Sequence, residues 1–342
     1  MTDQDLQAAR VAARSQPGSF AAPSSMQAMV YDDYGDASVL HSSQVAVPMR
    51  LPGQVLIEVW ASSVNPVDVR IRSGEVRGLL PGGFPRVPGY DVAGVVVDSG
   101  SDARFHVGDR VLAYLDSLLG GACAEYAVCA VDSVAKIPET LPTDLAAAMP
   151  LAGTTALQSL RDHGSMKPGD HVLINGASGG VGMFAVQIAK ANGCRVDAVA
   201  SGPNRDFCLS LGADDFYDYE QTDFTNSGQR WDLIFDAAGK ASYRKARRVL
   251  QPGGRFVSTE PSVKGLLMTM LTWFMPKPGS IMIAKPNADD LRELIRLYEA
   301  GQLQVTVDSR FPIAELAQAH RRIERGVDRG KVVLLSDRYQ PA

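Results

Sequence analysis

Four glycines within seven residues, set between an apolar run and a helical segment, constrain this chain more than any other feature. His171-Val-Leu-Ile174 reads as a buried strand, Asn175-Gly-Ala-Ser-Gly-Gly-Val-Gly182 as a tight turn, and Val181 to Asn192 as a helix. Glycines let a backbone turn sharply and approach a phosphate, and a helix N-terminus carries N–H groups without intrahelical partners. A strand, such a turn and a helix together make a cradle for the pyrophosphate of a dinucleotide. The pattern Ala177-x-Gly179-x-x-Gly182 is short, and a plain strand-to-helix turn would also produce it. Its setting favours the nucleotide, with Gly179 and Gly180 in the turn and Gly182 where the helix packs close.

That setting is a strand–helix rhythm that begins after Pro150. Strands are expected at Arg195–Ala200, Asp215–Tyr217, Trp231–Phe235 and Gly254–Ser258, with a helix through Asn204–Leu211. Such alternation is the signature of a parallel, doubly wound sheet. Before Pro150 the chain reads as short strands broken by Gly, Pro and Asp: Gln54–Trp60, Val92–Val97, Asp109–Tyr114 and Glu125–Val128. A barrel-like, mainly β domain follows from that pattern. The helix Ile313–Arg325 and the strand Lys331–Leu335 close the chain and are expected to return to the first domain. The expected division is a flexible tail over 1–25, a mainly β domain over 26–150 and 306–342, and a dinucleotide domain over 151–305.

Composition narrows the partners. A net charge of −4 gives no general attraction to nucleic acid or an anionic surface, and 45% apolar residues suit two soluble cores. The cysteines Cys123, Cys129, Cys194 and Cys208 have neither zinc-ribbon nor disulfide-framework spacing, which points to reduced thiols in a cytoplasm-like compartment. The tail has no apolar core for a secretory signal. Arg10 and Arg14 allow a mitochondrial transit peptide as the alternative, against which Asp3 and Asp5 stand. The apolar run Leu266–Met275 is too short to span a membrane and is expected to border the acceptor and set its shape.

The end of the second strand addresses the cofactor's ribose. A carboxylate there would accept from the 2′-hydroxyl of NAD, whereas its absence beside an arginine suits the 2′-phosphate of NADP. The sequence Ala200-Ser-Gly-Pro-Asn-Arg205 has no carboxylate. Ser201 can donate to a phosphate and Arg205 can supply a guanidinium fork, although a first-turn arginine can equally be a solvated one. The expected cofactor is NADPH.

Several ordered motifs now carry a family likeness. Pro88-Gly-Tyr-Asp-Val-Ala-Gly94, Phe105-x-x-Gly-Asp-Arg-Val111 and Pro150-Leu-Ala-Gly-Thr-Thr-Ala156 resemble the medium-chain dehydrogenase/reductase superfamily. Lys167-Pro-Gly-Asp-x-Val-Leu-Ile-Asn-Gly-Ala-Ser-Gly-Gly-Val-Gly182 is similar to its zinc-independent quinone oxidoreductase branch. Asp218-Tyr-x-x-x-Asp-Phe224, Trp231-Asp-Leu-Ile-Phe-Asp236 and Gly330-Lys-Val-Val333 resemble the reticulon-4-interacting oxidoreductases and their bacterial relatives within that branch. The resemblance covers about residues 26–336. It implies a GroES-like substrate domain, a Rossmann domain and a homodimer, for which the segment Ser280–Ala284 is the expected edge. It also implies that Ser178, Gly180 and Val181 contact the pyrophosphate, that Ser201 and Tyr219 lie near the 2′-phosphate, and that Thr154 sits beside the nicotinamide. Ala238 would line the cofactor groove and Lys331 would approach the cofactor.

Zinc-dependent relatives place a Cys and a His in the motifs that match Ser63-Val-Asn-Pro-Val-Asp68 and Gly89-Tyr-Asp91, where this chain has Asn65 and Tyr90. The expectation is a zinc-free site. Without a Lewis acid, a conjugated enone or a quinone is the easier acceptor, because charge spreads into an enolate that needs only hydrogen-bond donors. Asn65 is the candidate donor or orienter, and Tyr90 the candidate acid. Some quinone reductases carry a Tyr five residues after this Asn, where Arg70 stands here, so solvent is an alternative proton source. Two other readings stay open: a reductase of another carbonyl or an enoyl thioester, and an NADPH-binding sensor with little turnover.

Overall fold

The computed structural model describes residues 23–80, 82–101, 104–260 and 263–339. The expected tail lies almost wholly outside the described residues. The chain divides into two compact units, one of residues 1–147, 310–324 and 333–342, the other of 148–309 and 325–332.

The first unit is built on antiparallel strands. A hairpin pairs β1 (Ser25–Val30) with β2 (His41–Ala46). The long β3 (Gln54–Val64) runs into α1 (Pro66–Ser73), and β4 (Asp91–Asp98), β5 (Arg110–Tyr114), β6 (Tyr126–Ala130) and β7 (Val134–Lys136) follow. β3 pairs with β4 and β6, β4 with β5, and β5 with β7, all antiparallel. Val55, Ile57 and Val59 enter the main core, as their alternation implies. Their alternate, Leu56, is buried too, because it joins Met26, Val30 and Val97 in a second core cluster. Glu58 is buried because Trp60 Nε1, at 3.0 Å, and Arg338 donate to it. Burying a carboxylate is costly unless it is paired and hydrogen-bonded, and these donors supply that pairing.

After the short helices α2 (Thr143–Ala147) and α3 (Pro150–Gln158), the second unit alternates strand and helix. β8 (His171–Asn175) leads to α4 (Gly180–Ala191), β9 (Arg195–Ala200) to α5 (Arg205–Ser210), and β10 (Asp215–Asp218) to β11 (Trp231–Asp236). α6 (Tyr243–Ala246), β12 (Leu250–Ser258), α7 (Val263–Thr272), β13 (Gly279–Ile281) and α8 (Ala288–Glu299) complete it. The sheet order is β10-β9-β8-β11-β12-β13 and every pair is parallel. This is the Rossmann order 3-2-1-4-5-6, in which the chain reverses its direction of growth between β8 and β11. Trp231, fully buried, anchors the core with Leu173, Phe256 and Leu250. β14 (Val307–Pro312), α9 (Leu316–Glu324) and β15 (Lys331–Leu335) end the chain.

The edge strand β13 is already covered. The N–H groups of Gly279 and Ile281 donate to the hydroxyls of Thr272 and Thr269 on α7, both at 2.9 Å. Pairing of a second copy along those residues would have to displace the two hydroxyls. No helix among the described residues is long and apolar enough to cross a membrane.

Candidate functional site

In an open parallel sheet, ligands collect at the carboxyl ends of the strands where the order reverses. That point is the end of β8, and the glycine-rich turn starts there. Gly176 adopts φ +83°, and its N–H and that of Ala177 donate to Val199 O at 2.9 and 3.0 Å. Gly179 precedes α4 in extended backbone with no side-chain cap on the helix. A Cβ on Gly182 would stand 2.0 Å from Gly176 O, so only glycine lets the first helical turn lie on the loop. The result is a helix N-terminus of 12 residues behind a backbone cradle that also contains Ser178, Gly180 and Val181.

Asp236 ties the neighbouring strand ends together. Its buried carboxylate accepts from Asn175 Nδ2 at 2.8 Å, Ala241 N at 2.9 Å, Lys240 N at 3.2 Å and Ser258 Oγ at 3.1 Å. Ala238, two residues on, donates its N–H to Asn175 O at 3.1 Å and lies where a Cβ on Gly176 would fall. The expected groove residues of β8 and β11 therefore share one edge. Thr154, on α3, is fully buried, and its Oγ1 has no hydrogen-bond partner among the described residues. An orphaned hydroxyl costs about 1–3 kcal/mol, so it is a group expected to meet a ligand.

The end of β9 carries Ser201. Asn204 Nδ2 donates to Ser201 Oγ at 2.9 Å, and Asn204 Oδ1 accepts from Arg329 Nε at 2.7 Å. Arg329 also donates to Pro203 O at 2.8 Å and lies over the Phe207 ring. An open cavity of about 530 Å³ is lined by Ser201, Asn204, Arg329, Asp308 and Asp328 among others. Arg205 is exposed and stacks on Phe216 instead of joining that chain of bonds. Tyr219 is exposed, and its N–H donates to Ala200 O at 3.1 Å, which sets it beside the same strand end.

Lys331 is buried, and its side chain crosses Gly180 so closely that a Cβ there would be 2.8 Å from Lys331 Cδ. The cause is a parallel bridge between Gly179 and Gly330, with Gly330 N donating to Ser178 O at 3.0 Å. Gly330 has φ +71°, and a Cβ would meet Thr306 O at 2.1 Å. Reading the sequence alone misses Arg329, although a glycine flanked by two cations at the start of the closing strand is a usable signal.

In the first unit, Asn65 caps α1 and is buried. Its N–H donates to Asp68 Oδ2 at 2.7 Å, and its amide Nδ2 to Asp91 Oδ2 at 2.8 Å, an oxygen that also accepts from Ser63. The network fixes the plane of the amide. Tyr90 O–H donates to Leu118 O at 2.9 Å, and the ring meets Tyr114 edge to face. Burial raises its pKa well above the ordinary tyrosine value, with Asp68 adding to the rise. Arg70 is paired with Glu75 at 2.6 Å. The nearby Cys123 is buried, and burial pushes its thiol up, so it is no ready thiolate. Among the described residues no three His, Cys, Asp or Glu side chains are grouped to hold a metal ion. An amide, a tyrosine and a protonated thiol are a poor donor set for zinc.

Known proteins resemble the chain in both of its units. Residues 51–139 match the family model described as an alcohol dehydrogenase GroES-like domain, and residues 211–334 match one described as a zinc-binding dehydrogenase. The chain is 33% identical to the chloroplast envelope quinone oxidoreductase homolog of Arabidopsis thaliana, over 90% of this chain and 98% of that protein. It is 34% identical to the chloroplastic NADPH-dependent alkenal/one oxidoreductase of Arabidopsis thaliana, over 91% of this chain and 80% of that one. Among solved structures, the quinone oxidoreductase from Coxiella burnetii superposes with a TM-score of 0.82 at 31% identity, over 91% of this chain and 99% of the other.

Proposed function

Since the chain belongs to the quinone oxidoreductase branch of the medium-chain dehydrogenase/reductase superfamily, a family of NAD(P)H-dependent oxidoreductases, we propose that it is an NADPH-dependent, zinc-free reductase of quinones or α,β-unsaturated carbonyls. Reduced nicotinamide, when bound, supplies the hydride. The backbone of Ser178, Gly179, Gly180 and Val181 holds the pyrophosphate, and Lys331 adds positive charge across Gly180. The Thr154 hydroxyl takes a hydrogen bond beside the nicotinamide, and Ala238 lines the groove. Ser201 and Arg329 bind the 2′-phosphate in place of the expected Arg205, with Tyr219 covering the adenosine.

On the acceptor, Asn65 orients the oxygen on which charge develops, and its amide is held for that role by Asp91. Tyr90 stays protonated in its bond to Leu118 O and serves to shape the site. Solvent returns the proton to the enolate. The absence of a carboxylate after β9, with Ser201 and Arg329 joined through Asn204, is the observation that carries the NADPH assignment. Its test is kcat/KM for NADPH against NADH, where a ratio at or below one overturns the assignment.

Stopped-flow oxidation of bound NADPH by a quinone and enone panel tests the acceptor class. Activity that survives dialysis against a chelator supports the zinc-free site; loss restored by zinc overturns it. Oxidation by none of the acceptors despite tight binding would leave a binding role. The free, buried cysteines suit a reducing compartment such as the cytoplasm.

A further inference from the structure

Helix α7 is inverted relative to an ordinary surface helix. Its inward face carries Gly265, Thr269 and Thr272, which pack on or bond to β13, and a Cβ on Gly265 would meet Ile281 Cδ1 at 2.4 Å. The hydroxyls are there because a strand edge has to be satisfied, and that fixes which residues face outward. Those residues are apolar: Leu267, Met270 and Leu271 are exposed, and Trp273 and Phe274 just after the helix are 82% and 75% exposed. A contiguous apolar surface of this kind marks an interaction site.

Basic residues adjoin it. Tyr243 O–H donates to Lys277 O at 2.6 Å, and Tyr243 and the Met268 side chain both pack on the same core cluster, which joins α6 to the segment after α7. Around that junction Tyr243, Arg244, Arg247, Arg248 and Lys277 line an open depression of about 440 Å³. No ion pair engages Arg244, Arg247 or Arg248 among the described residues. Lys277 is held below the ordinary lysine value by burial, with Arg230 and Arg247 adding to it. The cluster precedes β12, so it lies at the opposite end of this parallel sheet from the cradle.

We infer that α7 and the adjoining Arg244/Arg247/Arg248/Lys277 cluster form a peripheral membrane-binding surface, with Leu267, Met270, Leu271, Trp273 and Phe274 entering the interface of an anionic bilayer. Apolar and aromatic side chains beside arginine and lysine are the composition of an interfacial helix. Anionic headgroups neutralise the cluster. A second copy docked symmetrically on the same face would bring two unpaired basic clusters together, which like-charge repulsion opposes. The inference is independent of the acceptor.

Flotation of the full chain with vesicles containing about one-third phosphatidylglycerol tests it, with pure phosphatidylcholine as control. Binding is expected on the anionic vesicles alone. Of the three tryptophans, Trp231 is buried, Trp60 half-buried and Trp273 exposed, so a blue shift on binding reports Trp273. Leu271→Glu with Trp273→Ser should cut partitioning by about tenfold or more, and Arg247→Glu by at least about fivefold, with thermal stability retained. Failure of the wild type to float on anionic vesicles overturns the inference, as does binding insensitive to both variants. A dimer that the α7 variants dissociate, in a protein that ignores vesicles, would assign the face to a second copy instead.

Discussion

Gly182→Ala perturbs the cradle at its narrowest point. The added methyl would sit 2.0 Å from Gly176 O and 2.7 Å from Ala177 Cα, both backbone atoms that cannot rotate away. An ordinary carbon–oxygen contact is over 3 Å, so α4 and the turn must separate by about 1 Å. That movement strains the bonds that close the turn, Gly179 N to Gly176 O at 3.1 Å and Met183 N to Gly179 O at 2.9 Å. Overpacking costs about 1–3 kcal/mol and each of the two weakened bonds about 1 kcal/mol, which sums to about 3–5 kcal/mol. For 342 residues at about 2.1 cal/mol/K each, 1 kcal/mol shifts the midpoint by about 1.4 °C, so it should fall by about 4–7 °C. Gly179→Ala is the control, because its Cβ would meet nothing closer than 3.4 Å and its backbone is extended. Thermal melting and NADPH titration by fluorescence measure both. NADPH affinity should drop by about tenfold or more in Gly182→Ala, while Gly179→Ala, the control for stability, should melt within about 1 °C of wild type. Equal behaviour of the two, or a Gly182→Ala protein that melts and binds like wild type, would refute the reasoning.

Thr154→Val removes a hydroxyl that has no partner among the described residues, so the unliganded midpoint should stay unchanged or rise, while the Kd for NADPH increases several-fold; a destabilised unliganded variant would show that the hydroxyl serves the fold. Arg329→Ala should weaken NADPH by about tenfold and leave NADH nearly unaffected, as read from the two KM values. Burial, with Arg72 adding to it, depresses His320 to about 3 from 6.5. The unfolded chain therefore binds the proton first, and stability is lost as the pH falls from about 6.5 towards 3. Denaturant titrations at pH 7 and pH 5 should differ by about 2 kcal/mol from this group alone. The difference should shrink by that amount in His320→Leu, which removes a ring whose two nitrogens have no hydrogen-bond partner among the described residues.

Much of the protein was legible in its sequence because the governing interactions are local. The strand His171–Asn175, the glycine turn and α4 are contiguous, so spacing alone predicts the cradle, and the strands Arg195–Ala200 and Lys331–Leu335 begin and end where their apolar runs do. Asn65 was expected as a donor or orienter, and its place as the cap of the helix that begins at Pro66 is seen only in the structure. Other features depend on residues that meet only after folding. Lys331 reaches the cradle, and Arg329 the segment after β9, because Gly330 pairs with Gly179 across some 150 positions, and no local pattern encodes that bridge. Arg205 was the arginine expected from its place in the chain, and it stacks on Phe216 while Arg329 bonds to Asn204.

Helix α7 shows the same division. Its sequence announces an apolar run, but only the strand beside it determines which face turns outward, because two N–H groups of β13 require the hydroxyls of Thr269 and Thr272. The sequence by itself therefore determined the cradle, the parallel sheet and the class of cofactor. Tertiary structure decided which arginine bonds to Asn204 and which surface is left apolar. Hydrogen bonds and charge pairs formed at long sequence separation settle those choices, and a one-dimensional pattern carries no record of them.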